Sequence, residues 1–96
     1  MVNSDSSEVR KALIHWVIED TLFEISDTTV EEVGNRLYER YQCYFSDCLK
    51  HPDYLRDILK EIFGNASTQI ICTINEKLKE FSDNKEISNF LVQISE

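Results

Sequence analysis

The chain has 96 residues, of which 42% are hydrophobic and 29% charged, and it contains two glycines and one proline. This length and composition predict one folded domain over residues 1–96. So few glycines and prolines argue against a disordered tail, a collagen-like chain or a turn-rich β-sandwich. Eighteen acidic residues against ten basic ones give a net charge of −8.

The negative charge is concentrated near the N-terminus, where residues 1–33 hold eight acids and two bases. Such a field repels nucleic-acid phosphates and anionic lipid, so we expect neither direct nucleic-acid binding nor membrane binding. The longest apolar run, residues 12–18, is seven residues long, whereas a membrane span needs about 20. Three cysteines without paired spacing are typical of reduced thiols and favour a cytoplasmic location.

The spacing of apolar residues predicts an all-α bundle of about five helices. The first helix is predicted over about residues 6–24, opened by Asp5 with Glu8 at the capping-box spacing. The second is predicted over about residues 29–42 and contains Gly34, which we expect to permit the close approach of another helix. Its apolar stripe is Val30, Val33, Leu37 and Tyr41. A connector over residues 43–51 follows.

Pro52 is predicted to begin the third helix, because proline is tolerated at a first helical position. Its apolar stripe is Leu55, Ile58, Leu59, Ile62 and Phe63. Gly64 is predicted to stop this helix in a left-handed conformation and Asn65 to cap the fourth, over about residues 66–81. The fourth helix is predicted to bury Ile70, Ile71, Ile74, Leu78 and Phe81. Asp83 is predicted to cap a short closing helix that contains Ile87, Phe90, Leu91 and Ile94.

The first helix is apolar on two opposite faces. One face contains Val9, Ala12, Leu13, Trp16, Val17 and Phe23. The opposite face, which we expect at a homodimer interface if one forms, contains Ile14, Ile18, Leu22 and Ile25. A helix of this kind must be covered on both sides. It either runs through the middle of the bundle or pairs one face with a second molecule.

Acidic residues crowd the end of this helix and the start of the next. The predicted partner-binding patch is Glu19, Asp20, Glu24, Asp27, Glu31 and Glu32. Anions near a helix C-terminus oppose the helix dipole, and local choices that work against the fold often serve function. The patch therefore predicts a basic protein partner, although a solvated acidic face that keeps the protein soluble explains it as well.

The connector holds the residues best suited to metal binding or catalysis, which are Cys43, Cys48 and His51. They are weak metal candidates, because zinc would need a fourth ligand such as Cys72, His15 or Asp47, and no C-x-x-C pair is present. A buried thiol and a helix-start histidine explain the same residues without metal. No glycine-rich loop or nucleophile–base arrangement accompanies them. We therefore predict no catalytic residues, no cofactor and no enzyme activity.

Four motifs lie within residues 36–78. They are Leu37-Tyr38-x-x-Tyr41-x-x-Tyr44-x-x-Asp47, His51-Pro52-x-Tyr54-Leu55, Leu59-x-x-Ile62-Phe63-Gly64-x-Ala66 and Ile70-x-x-x-Ile74-x-x-x-Leu78. This pattern resembles an archaeal family of small helical domains, Nitrosopumilus output domain five. The family commonly has a glycine after the Tyr41 position, where this chain has Gln42 and Cys43. The resemblance implies a non-enzymatic output or interaction module in signalling or regulation, and it carries over no catalytic residue.

The sequence thus favours a module that acts through protein–protein contact, with a homodimer as one form of that contact. An acidic inhibitor or mimic that sequesters a basic protein is the alternative. A small metal-bound regulatory domain is a third interpretation.

Overall fold

The computed structural model describes the backbone of residues 5–95 and the side chains of residues 8–95. Over this part of the chain the protein is all-helical, without β-strands. The α-helices are α1 (Asp5–Phe23), α2 (Asp27–Tyr41), α3 (Pro52–Phe63), α4 (Ser67–Leu78) and α5 (Lys85–Ser95). Short 3-10 helices cover Phe45–Leu49, Gly64–Ala66 and Lys79–Phe81. No helix within these bounds is both long enough and apolar enough to cross a bilayer.

Helix α1 packs against α2, α4 and the 3-10 helix Phe45–Leu49 through one face only. That face is buried and contains Ile14, Val17, Ile18 and Leu22. The expectation that Ile14, Ile18 and Leu22 meet a second molecule is therefore wrong, because the bundle of a single chain already encloses them. Ile25 lies beyond the end of α1 and is exposed. On the opposite face Val9, Trp16 and Phe23 are exposed, whereas Val17, which the sequence pattern places there, is buried and Leu13 is half-buried.

Helix α2 begins two residues earlier than predicted because Ser26 caps it. The Ser26 hydroxyl accepts a hydrogen bond from the Thr29 amide at 3.1 Å, and the Ser26 backbone is extended. At the other end Gln42 adopts a left-handed conformation, with φ 54° and ψ 38°, and its amide donates to the Tyr38 carbonyl. Val33 and Leu37 are fully buried, as their spacing predicts.

The connector forms part of the core. Asp47 fixes its start, because the Tyr44 amide donates to Asp47 Oδ2 at 3.0 Å. Phe45, Cys48 and Leu49 are buried. The neighbour that Gly34 admits is a side chain of the 3-10 helix: a Cβ at this position would lie 3.5 Å from the Phe45 ring, at van der Waals distance.

Helix α3 begins at Pro52 and ends at Gly64, as predicted, but Gly64 has φ 59° and ψ −126°, which is a conformation open to glycine and not the predicted left-handed helical one. The prediction for Asn65 is wrong, because a 3-10 turn leads directly into α4 and no side chain caps that helix. Asn84, and not the predicted Asp83, caps α5: its side-chain oxygen accepts from the Glu86 amide at 2.9 Å.

Helix α4 ends at Leu78, three residues before the predicted boundary. The following 3-10 turn carries Phe81 outward, where it is 39% exposed instead of buried as predicted. The remaining apolar residues predicted for α4 are buried, and α4 and α5 pack against each other and against α3.

Candidate interaction surface

A line of apolar side chains runs along the solvent face of α1. We call Val9, Ala12, Trp16 and Phe23 the outer stripe. Val9 is 67% exposed, Trp16 59% and Phe23 52%. These three are seven residues apart, so they lie almost on one line along about 21 Å of helix.

Large apolar side chains aligned on one face are unusual on a protein surface. Isolated exposed apolar residues need no explanation, but here Val9, Ala12 and Trp16 are neighbours on one face, and Phe23 continues the line beyond Glu19 and Asp20. Tryptophan is enriched at interfaces and among the residues that dominate binding energy. Burying one such side chain would contribute about 1.5–3 kcal/mol that the isolated chain does not gain. The outer stripe is therefore suited to contact with another molecule.

Acidic side chains border the outer stripe. Glu8 and Glu19 lie on one side of it, and Asp20 and Glu24 lie near its C-terminal end. The Nζ of Lys77 lies 2.8 Å from Asp20 Oδ2 and 2.8 Å from Glu24 Oε2, so it compensates part of this charge.

The six residues of the predicted acidic patch are not equally available. Asp20 and Glu24 bind Lys77, and Glu32 lies 3.8 Å from Arg36. Asp27 and Glu31 are exposed and form no ion pair with any residue whose side chain is described. Internal cations therefore neutralise part of the patch, and its free charge lies at the start of α2.

Glu19, the remaining member of the patch, faces a groove between α1 and α2. Its Oε1 lies 3.6 Å from His15 Nε2. The groove has a volume of about 490 Å³, and we call it the α1–α2 groove. It is lined by His15, Glu19, Gly34, Asn35, Tyr38, Glu39, Tyr44 and Phe45. Sequence reasoning missed this groove, although Gly34 within a helix and the nearby tyrosines were its signals.

The three metal candidates do not come together as a ligand set. Cys48 is fully buried, and its thiol lies 3.7 Å from the Tyr44 carbonyl oxygen. Burial raises the pKa of the Cys48 thiol far above its ordinary value and also raises the pKa of Cys43, so both favour the protonated form, which is a poor ligand. Among residues 8–95, no group of three or more histidine, cysteine or acidic side chains is placed to hold a metal ion.

His51 instead takes part in an aromatic stack. Its ring lies 4.6 Å from that of Tyr54, which lies 4.0 Å from the ring of Tyr41 in a nearly parallel arrangement. The Tyr41 hydroxyl donates to Asp57 Oδ2 at 2.6 Å. This hydrogen bond, together with burial, raises the pKa of Tyr41. The stack fixes the connector against α2 and α3.

Comparison with known proteins identifies no relative: no family model, curated protein or solved structure matches the chain.

Proposed function

We propose that this chain, a bundle of about five helices, is a non-enzymatic protein-interaction module that binds its partner through the outer stripe of α1. The observation that carries the proposal is the exposure of Trp16 in line with Val9 and Phe23. A cytoplasmic signalling or regulatory setting is supported by the three free cysteines and by the resemblance of residues 36–78 to an archaeal output domain.

The surroundings of the stripe favour a partner with an apolar face bordered by basic residues. An amphipathic helix that lays three anchors along α1 matches the seven-residue spacing. Lysine or arginine beside those anchors would face Glu8, Glu19 and the free charge at Asp27 and Glu31. A second copy of the chain fits less well, because two-fold pairing through α1 brings these acidic borders near each other.

The test compares two substitutions at equally exposed apolar residues. Trp16 and Val92 are both 59% exposed, but Val92 lies on α5, away from the stripe. Trp16→Ser is expected to lower the affinity for a captured partner by about tenfold or more, and Val92→Ser to leave it unchanged. The captured protein must also carry a basic amphipathic segment, and a peptide of that segment must shift the fluorescence of Trp16, the only tryptophan. Equal capture by both variants would remove the stripe from the proposal.

Sedimentation tests whether a second copy of the chain covers the outer stripe. The monomer has a mass of 11.3 kDa. We expect this mass at all concentrations. A concentration-dependent dimer that Trp16→Ser abolishes would show that the outer stripe binds a second copy of the chain and not a different protein.

Sequestration of a basic protein is a second candidate, and the exposed carboxylates of Asp27 and Glu31 favour it. It predicts that the double substitution Asp27→Lys and Glu31→Lys abolishes binding and that salt weakens binding strongly. Trp16→Ser should hardly change the affinity. The reverse pattern supports the apolar stripe.

A further inference from the structure

The α1–α2 groove contains none of the four residues of the outer stripe, although Glu19, which borders the stripe, also lines the groove. It lies between α1, α2 and the start of the 3-10 helix Phe45–Leu49. Its volume of about 490 Å³ falls within the roughly 300–1,000 Å³ that is typical of small-molecule sites. Gly34 keeps it open, because a side chain at this position would extend toward the Phe45 ring.

Aromatic rings form the walls and floor of the groove. Tyr38 and Tyr44 stack with their ring centroids 5.4 Å apart and their planes inclined by 30°. They are 48% and 61% exposed, so solvent reaches their rings. Phe45 is buried, and its ring forms an edge-to-face contact with that of His15, with the ring centroids 5.7 Å apart and the planes inclined by 70°. The face of an aromatic ring is electronegative and attracts cations.

Each of the two helices contributes a carboxylate to the groove lining, Glu19 from α1 and Glu39 from α2. Glu39 forms no ion pair with any side chain in residues 8–95. Of the eight lining residues, all in the described part of the chain, His15 alone can carry a positive charge. The groove thus combines electronegative ring faces with acceptor oxygens.

This chemistry excludes most other ligand classes. An anion would meet two carboxylates in a chain of net charge −8. A neutral apolar ligand would displace water from those carboxylates without replacing its hydrogen bonds. A metal ion would need more ligands than these two acids provide.

We propose that the α1–α2 groove binds a guanidinium group. Guanidinium is weakly hydrated, stacks on aromatic rings and donates two parallel hydrogen bonds to one carboxylate, which a compact ammonium ion cannot do. The group stacks on the exposed face of Tyr38 or of Tyr44, whose rings already stack on each other, and donates to Glu39 or Glu19. It belongs either to an arginine side chain of a bound protein or to a free alkylguanidine.

The experiment titrates the full chain with agmatine and, as an ammonium probe of the same chain length and charge, with putrescine. Backbone amide NMR shifts are followed at about pH 8. We expect saturable shifts at Gly34, Asn35 and Tyr38 with agmatine below about 20 mM, and binding of putrescine that is roughly tenfold weaker.

Four variants separate the site from general charge attraction. Tyr38→Leu and Glu39→Gln remove a ring face and an acceptor, and each should raise the agmatine dissociation constant by roughly fivefold or more. Tyr38→Phe keeps the ring, and Glu31→Gln removes an exposed acid on α2 outside the groove. Both should bind as the natural sequence does. Unchanged amide shifts far from the groove verify that each variant is folded.

Arginine-containing and lysine-containing peptides of the same length distinguish the two sources of the group. Binding of the arginine peptide that is at least about tenfold tighter than agmatine assigns the group to a protein side chain, and equal binding assigns it to a small molecule. Three results would overturn the proposal: no saturable shift, equal binding of agmatine and putrescine, or equal loss of binding in Glu39→Gln and Glu31→Gln. None of these results bears on the outer stripe.

Discussion

Lys77 Nζ lies 2.8 Å from Asp20 Oδ2 and so connects the end of α4 to the last turns of α1. Helix α1 has no basic residue in its own last turn, although acidic residues accumulate there. Lys77 also binds Glu24 at 2.8 Å. A cation from α4 therefore offsets the unfavourable placement of these acids near the negative end of the α1 dipole.

Replacing Lys77 by methionine should keep the packing of its stem and remove its charge. We expect a loss of about 1 kcal/mol in the free energy of unfolding, because both carboxylate partners are partly exposed and screened by solvent. Urea unfolding measures this loss. Lys79→Met is the control, since Lys79 is exposed and forms no ion pair with a described side chain.

The same contact predicts a pH dependence. Burial lowers the pKa of Lys77, but hydrogen bonds to Asp20 and Glu24 raise it more, so its folded-state pKa lies above the ordinary value. Its contribution is complete below the unfolded pKa of about 10.4 and is lost as pH rises through the folded pKa. The stability difference between the natural chain and Lys77→Met should therefore be constant at neutral pH and shrink in alkaline solution. A difference that grows with pH would contradict this linkage.

The two faces of α1 should respond oppositely to truncation. Ile14→Ala removes a fully buried side chain and should lower the free energy of unfolding by about 2–5 kcal/mol. Trp16→Ala truncates a larger side chain but should change stability by less than about 0.5 kcal/mol, because most of it is already in water. Thermal unfolding at two protein concentrations measures both effects. A large, concentration-dependent loss for Trp16→Ala would show that a second copy buries this residue.

Gln42→Gly should stabilise the chain. Gln42 has a φ of 54°, a conformation that is strained for a residue with a Cβ and free of strain for glycine. We expect a gain of about 0.5–1 kcal/mol after the greater flexibility of glycine in the unfolded chain is included. Gln69→Gly, at an exposed position within α4, should instead lose about 0.5–1 kcal/mol. The denaturant midpoint of Gln42→Gly should lie above that of the natural chain, and the midpoint of Gln69→Gly below it. This pattern would verify that residue 42 caps α2 in a left-handed conformation.

The three thiols should react with a disulfide reagent in the order Cys72, Cys43, Cys48. Cys72 is exposed, Cys43 is half-buried and Cys48 is buried, and burial raises the pKa of the latter two. Since the thiolate is the reacting form, Cys48 should label only on unfolding. Cys72→Ser should remove the fast phase alone. Labelling of Cys48 at the rate of Cys72 would mean that the connector opens readily.

Most helix positions follow from local signals, and the choice of the buried face does not. Pro52 and Gly64 mark the ends of α3 because each restricts or frees the backbone at its own position. On α1 both faces are apolar, so periodicity alone does not distinguish Ile14 from Trp16. The packing of α4 and the connector against α1 decides which face is buried, and these contacts join residues that are distant in sequence.

The α1–α2 groove was not predictable for the same reason. The connector has no helical periodicity, yet its 3-10 turn places Phe45 under Gly34 and Tyr44 beside Tyr38. The acidic patch was predictable as a composition. Its partial neutralisation was not, because Lys77 is more than fifty residues away from Asp20.

The burial of one side of α1 also determines how the other side would meet the proposed partner. The core residues hold the helix backbone in place, so the outer stripe keeps its shape in the unbound chain. Association then requires no refolding and restricts mainly the rotamers of a few side chains, such as Trp16, at a cost of about 0.5–1.5 kcal/mol for each one immobilised. Such preorganisation gives a small surface more affinity than a flexible segment of the same area would have.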